Sequence, residues 1–152
     1  MTLETILVAV GPNDADRYER LGEETIDIGA GADAHVVVAH VFTDEEYRRV
    51  LDRLEIDRTA EEATPDEAAR RHTTTRNRAA RLDEAGLSYE FRGAVGDHGE
   101  EIVALAEAVD ADLVIVGGRT RSPAGKAAFG STAQEVILES PCPVTFVRAD
   151  TK

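Results

Sequence analysis

Short apolar runs alternate with longer amphipathic stretches along almost the whole chain. Ile6-Leu7-Val8-Ala9-Val10 is apolar throughout, as a strand covered on both faces requires. Asn13 or Asp14 can then cap a helix with Tyr18, Leu21, Gly22, Ile28 and Gly29 on one side. His35–Phe42 reads as a second strand. Ser88–Val95 reads as a third, and its alternation, with Tyr89 and Phe91 on one face, marks a sheet edge. Asp97 can cap a helix that carries Ile102, Leu105, Ala106 and Val109 at i, i+3, i+4 and i+7. Leu113–Val116 is the most apolar strand. Phe129–Leu138 has a helical pattern, and Pro141-Cys142-Pro143 stops it ahead of a last strand, Val144–Val147.

Five strands alternating with helices imply right-handed βαβ units, hence an α/β fold: a doubly wound, five-stranded parallel sheet with helices on both faces. In such sheets ligands bind beyond the carboxyl ends of the strands, where the strand order reverses. The tips after Val10, Val41 and Val116 should therefore meet. Residues 43–67 break the regular alternation: they are charged, with Tyr47, Val50, Leu51 and Leu54 at helical spacing, and read as a helical insertion. Pro65 then opens a long helix at its first turn, with Ala68, His72, Thr75, Ala79, Leu82 and Gly86 as its core face. Residues 1–152 are expected to form one domain.

A chain of 152 residues can bury a core without covalent staples. The lone Cys142 excludes a disulfide framework or a multi-cysteine metal cluster, which points to a reducing, cytoplasmic setting. No apolar run approaches the roughly 18 residues of a membrane span, and Ile6–Val10 is too short for a signal peptide. Thirty acids against seventeen bases give a net charge of −13, which argues against a general nucleic-acid binder. Only Lys126 and Lys152 are lysines, and an acid-rich, lysine-poor surface suits a halophilic cytoplasm, where salt screens self-repulsion.

One stretch escapes that acidity. Leu113 to Gln134 runs 22 residues without Asp or Glu and holds Gly117-Gly118, the cations Arg119, Arg121 and Lys126, then Gly130-Ser131-Thr132 at a helix start. A strand end, a glycine-bearing loop, local positive charge and a helix N-terminus are the parts of a phosphate site. It is not a Walker A loop, because Thr120 stands where the first glycine belongs and Ala127 follows Gly125-Lys126. The plain alternative is a turn followed by a Ser/Thr cap.

Other constellations carry less. Arg70, Arg71, Arg78 and Arg81 share one helical face, which could dock an acidic protein partner or simply pair with the acidic insertion. The four histidines show no metal-ligand spacing; His40 reads as a core or pocket-edge residue and His98 as a first-turn surface residue. Ser122 and Ser131 have no identifiable triad partners. Cys142 reads as a spacer.

The framework resembles the universal stress protein family over essentially the whole chain outside 43–67. The matching pieces are ILVAV, VVVAHVF, GDHGEEIVALAEAVDADLVIVGG, FGSTAQEVI and PCPVTFV. The resemblance implies the adenine nucleotide alpha hydrolase-like fold and a homodimer formed through the last strand, Val144 to Val147. In one branch it also implies ATP or AMP bound through G-x2-G-x9-G-[ST], with magnesium only alongside ATP. Carried over, Gly117 takes the first glycine, Gly130 and Ser131 the closing pair, and Val41 lines the adenine pocket. Two positions depart from the family pattern: Thr120 replaces the second glycine, and Gly11 replaces an aspartate after the first strand. A lost hydrogen bond of that kind costs about 1–3 kcal/mol. Arg119, Arg121 and Lys126, with Thr132, remain to hold the phosphates. The expectation is a dimeric stress-response module that binds adenine nucleotide or another anion with little turnover. The alternatives are a ligand-free interaction protein of the same fold or, less favoured, a nucleotide-hydrolysing or adenylyl-transferring enzyme.

Overall fold

The computed structural model of the chain describes residues 3–10, 18–61, 63–71, 80–118 and 131–148. Strand β1 (Thr5–Val10) leads to helix α1 (Tyr18–Ala32) and strand β2 (His35–Phe42). Helices α2 (Asp44–Arg53) and α3 (Pro65–Arg71) follow, and residues 80–84 are again helical (α4). Next come β3 (Tyr89–Val95), α5 (His98–Ala108), β4 (Leu113–Gly118), α6 (Ser131–Glu139) and β5 (Val144–Arg148). All five strands run parallel in one sheet, ordered β3-β2-β1-β4-β5. The chain winds outward from β1 to β3, then returns beside β1 and winds the other way. That is the doubly wound arrangement read from the alternation of elements.

The unbroken apolar runs follow from this topology, since successive strand residues face opposite layers and both layers are covered. Ile6, Val8, Val36, Val38 and Ile115 pack with Leu21 of α1 and Leu82 of α4. Leu7, Ala9, Val37, Val114 and Val116 pack with Ile102 and Ala106 of α5 and with Ala133 and Val136 of α6. Thr25 in α1 is buried too, because its hydroxyl donates to the Leu21 carbonyl one turn back, 2.6 Å away.

The insertion builds a third cluster. Phe42, Val50, Ala68 and Ala69 are buried together, with Tyr47 and Leu54 against them. Helix α3 lies on β3, where Asp66 Oδ1 accepts the Gly93 N–H at 2.7 Å. Position 93 must be glycine there, because a Cβ would collide with the Pro65 carbonyl. The alternation of β3 foretold an edge strand, which the sheet order bears out, and Asp66 of the insertion occupies that edge at Gly93.

The face expected for the helix opened by Pro65 needs one correction. Ala68 and Leu82 are buried as read, but Gly86 is exposed. It sits at φ 75° and ends α4, with its N–H on the Asp83 carbonyl and the Leu87 N–H on the Leu82 carbonyl. This is the left-handed helix ending that glycine favours, and Leu87 takes the burial instead. His72, Thr75 and Ala79 lie outside the described residues, as do the helix-start candidates Asn13 and Asp14. Among the described residues no helix is long and apolar enough to cross a membrane.

Candidate functional site

Strand pairing shows where the sheet opens. β1 and β4 pair as far as Val8↔Ile115 and no further. Beyond that point β1 stays with β2 to Val10↔His40, and β4 stays with β5 to Gly118↔Arg148. The two strands that flank the reversal in strand order thus part at their carboxyl ends, where a doubly wound sheet forms its binding crevice.

The predicted site residues fall in four places. Val41 is 3% exposed and shares a buried cluster with Val116 of β4 and Ala133 of α6. That cluster brings the end of β2, the end of β4 and the first turn of α6 onto one face of the sheet. Val41 also lies one residue past the last pair with β1, so its side chain fills core while its backbone reaches beyond the end of β1. Gly117 pairs with Val147 near the end of β4. Ser131 opens α6, with Thr132 half-buried beside it. Arg119, Thr120, Arg121, Lys126 and Gly130 lie outside the described residues, as does Gly11.

Electrostatics separate the two helix starts at this end of the sheet. Helix α5 supplies its own anions: Asp97 caps it, accepting the Glu100 N–H at 3.0 Å, and Glu100 and Glu101 fill its first turn. Glu135 of α6 joins them, admitted by Gly99, where a Cβ would meet its carboxylate. The carboxylates of Asp97, Glu100 and Glu135 lie within 4.8 Å of one another. Partial desolvation, then the negative charges of Asp97 and Glu100, push the Glu135 carboxyl above its ordinary range. In geometry these three oxygens could take up a cation, but exposed acidic groups are common without one. The first turn of α6, by contrast, carries no acid. An acid-free helix start favours a negative charge nearby.

Sequence reading missed two further arrangements. His98 is not a plain surface residue: its Nε2 lies 3.0 Å from Glu46 Oε1, and both side chains are under one-third exposed. The same Glu46 oxygen accepts the Thr43 N–H at 2.7 Å while Thr43 Oγ1 accepts the Glu46 N–H, a capping box at the start of α2. The T-x-x-E spacing signals the box, but nothing in the sequence signals its link to a residue 52 positions away.

At the opposite, amino end of the sheet, His35 Nδ1 lies 2.8 Å from Ser88 Oγ and its Nε2 lies 3.0 Å from Glu90. The trio has triad-like distances. However, the nearby Ala34, His35, Val36 and Leu87 N–H groups are all spent on backbone carbonyls, leaving none of them for an oxyanion. It is a cross-strand clasp between β2 and β3. His40, 1% exposed and stacked on Phe42 at 4.3 Å, is core as expected.

The profile of the universal stress protein family matches residues 2–148. A universal stress protein of Mycolicibacterium smegmatis is 37% identical over 106 residues, covering 69% of this chain and 82% of that one. The solved universal stress protein from Archaeoglobus fulgidus is similar with a TM-score of 0.70 at 25% identity, covering 95% and 98% of the two chains. A structure of a universal stress protein from Archaeoglobus fulgidus in complex with dAMP gives a TM-score of 0.67 at 22% identity, covering 97% of this chain and 100% of that one. With the strand order, the opened crevice and these likenesses in hand, the chain belongs to the universal stress protein family.

Proposed function

We propose that this universal stress protein is a cytoplasmic stress-response module that holds an adenine nucleotide, ATP or AMP, or a simpler anion without significant turnover. The ligand would sit in the crevice between the carboxyl ends of β1 and β4. One observation carries the reading: the strands part beside the single acid-free first turn among those of α2, α3, α5 and α6. Ser131 and Thr132 would meet phosphate there, with the Val41 backbone near the base. Gly117, Gly130, Arg119, Thr120, Arg121 and Lys126 would complete the cradle, and magnesium would enter only with ATP. The dAMP complex of a universal stress protein from Archaeoglobus fulgidus supports adenine as the base.

The same proposal includes a homodimer through β5 (Val144 to Val147). Asp66 occupies the β3 edge at Gly93, which favours β5, the other outer strand of the sheet, for pairing with a second copy. Beside it, α6 exposes Leu138 (71%) and Ile137 (39%). An acidic protein partner at Arg70, Arg71, Arg78 and Arg81 is a weaker proposal, since Arg70 and Arg71 both pair with Glu67.

Equilibrium titration with ATP and AMP tests the nucleotide reading. Saturable binding is expected, weakened about a hundredfold in an Arg119→Ala/Lys126→Ala double variant, roughly tenfold for each lost charged contact. A flat titration to millimolar ligand would instead favour the ligand-free interaction module, toward which Gly11 and Thr120 already lean. Phosphate or pyrophosphate release faster than in that double variant would indicate an enzyme.

A further inference from the structure

We propose that Ser88 is an acyl-accepting nucleophile, with His35 as its general base and Glu90 as the residue that positions the ring. The site lies at the amino end of β2 and β3, at the opposite end of the sheet from the crevice, and does not depend on nucleotide binding. Its geometry fixes which ring nitrogen can take a proton. Glu90 Oε1 lies 3.0 Å from His35 Nε2, and an ionised carboxylate only accepts hydrogen bonds, so Nε2 carries the proton. Nδ1 is then left bare toward Ser88 Oγ, 2.8 Å away, and accepts the hydroxyl proton. Glu90 is held in turn, because Arg92 Nε donates to its Oε2 at 3.0 Å. The His35 hydrogen bond, helped by the Arg92 charge, outweighs partial burial and keeps the Glu90 carboxyl below its ordinary range.

The backbone also holds the reacting pair. The His35 N–H donates to the Glu4 carbonyl at 2.8 Å, and the Ser88 carbonyl accepts the Val36 N–H at 3.0 Å. Ser88 is exposed, and the His35 and Glu90 side chains are 36% and 40% exposed, so a small ester can reach the hydroxyl. In the reaction, Ser88 Oγ bonds to the acyl carbon of the donor while its proton passes to His35 Nδ1. The carbonyl re-forms as the bond to the leaving group breaks, and the aryloxide or thiolate departs with that electron pair and takes the proton from Nδ1. Because the neighbouring backbone N–H groups are spent, the donor must be an activated one, an aryl ester or a thioester. The net charge of −13 favours an uncharged donor over an acyl phosphate. Hydrolysis of the new ester meets the same shortage of donors, so the product is a singly acylated chain and not turnover.

Incubation of the full chain with p-nitrophenyl acetate, read by nitrophenolate release and peptide mass mapping, tests the proposal. One acetyl group should appear at Ser88 well ahead of Thr59, whose exposed hydroxyl donates to the Asp57 carboxylate instead of an imidazole. His35→Ala should slow acetylation of Ser88 about a hundredfold, the low end of a general base's contribution. Ser88→Ala should remove that rapid label and leave the slow background. Glu90→Gln should slow the reaction as well and shift the His35 ring toward its other tautomer in nitrogen NMR spectra, a change that a merely structural side chain would not cause. Labelling of Ser88 no faster than that of Thr59, or equally fast in His35→Ala, would overturn the proposal. So would spectra of the unaltered protein that place the ring proton on Nδ1.

Discussion

Among the described residues, three other than glycine hold a left-handed backbone: Asp33, Glu55 and Asp110, at φ 53°, 58° and 53°. Each ends a helix in the way Gly86 ends α4, with paired N–H groups folding back onto the last turn. A Cβ is disfavoured in that conformation, and a negative side chain also opposes the negative end of the helix. Glu55→Gly should therefore raise stability by about 0.5–1 kcal/mol, after the larger entropy of unfolded glycine is discounted. Urea denaturation read as a shift in midpoint at constant slope would measure it, and a fall in midpoint would count against strain at Glu55. Gly86→Ala should act in the opposite direction by about 1 kcal/mol. These endings also show a limit of sequence reading at this scale. Gly86 satisfied the 3.6-residue period and was assigned to the core face, but its lack of a side chain was being used for backbone conformation.

Elements were legible where one physical signal dominated. Strands β1, β2 and β4 were readable because burial on both faces leaves near-continuous apolar runs, with His40 the interruption in β2. Asp97 at the start of α5 and Pro65 at the start of α3 were readable because caps and first-turn prolines act locally. What stayed hidden depends on pairs of elements. No pattern along α6 announces that Glu135 stands among the acids at the start of α5, nor does β2 show that His35 will clasp Ser88 and Glu90. The glycine-rich and cationic parts of the candidate site were legible as composition, but most of them lie outside the described residues, so geometry bears on Val41, Gly117, Ser131 and Thr132 alone. Two variants probe the element contacts. Gly93→Ala forces a Cβ against Pro65 and should cost about 1–3 kcal/mol, with α3 amides losing protection first. Glu135→Gln should raise Tm at neutral pH. A carboxyl held above its ordinary range costs stability when ionised, so the gain should shrink as pH falls through that raised range and vanish in acid. A gain that persisted at low pH would show that repulsion from Asp97 and Glu100 is not its source.

At the scale of the whole molecule, the net charge of −13 makes self-repulsion a general cost of compactness. Added salt shortens the screening length from about 10 Å at 0.1 M to about 3 Å at 1 M. Thermal unfolding followed by circular dichroism should show Tm climbing across that range, and a flat or falling Tm would remove the halophilic reading. The same screening favours association of like-charged copies, so sedimentation equilibrium in high salt should report twice 16.4 kDa, with monomer growing as salt is withdrawn. The contact of Asp66 and Pro65 with Gly93 bears on what such an assembly can become. A sheet that accepts new strands on both flanks can extend into fibres without end, which is a hazard wherever salt suppresses repulsion. With Asp66 held against one flank at Gly93, two copies pairing along the other would tend to close into a finished particle that a third does not extend.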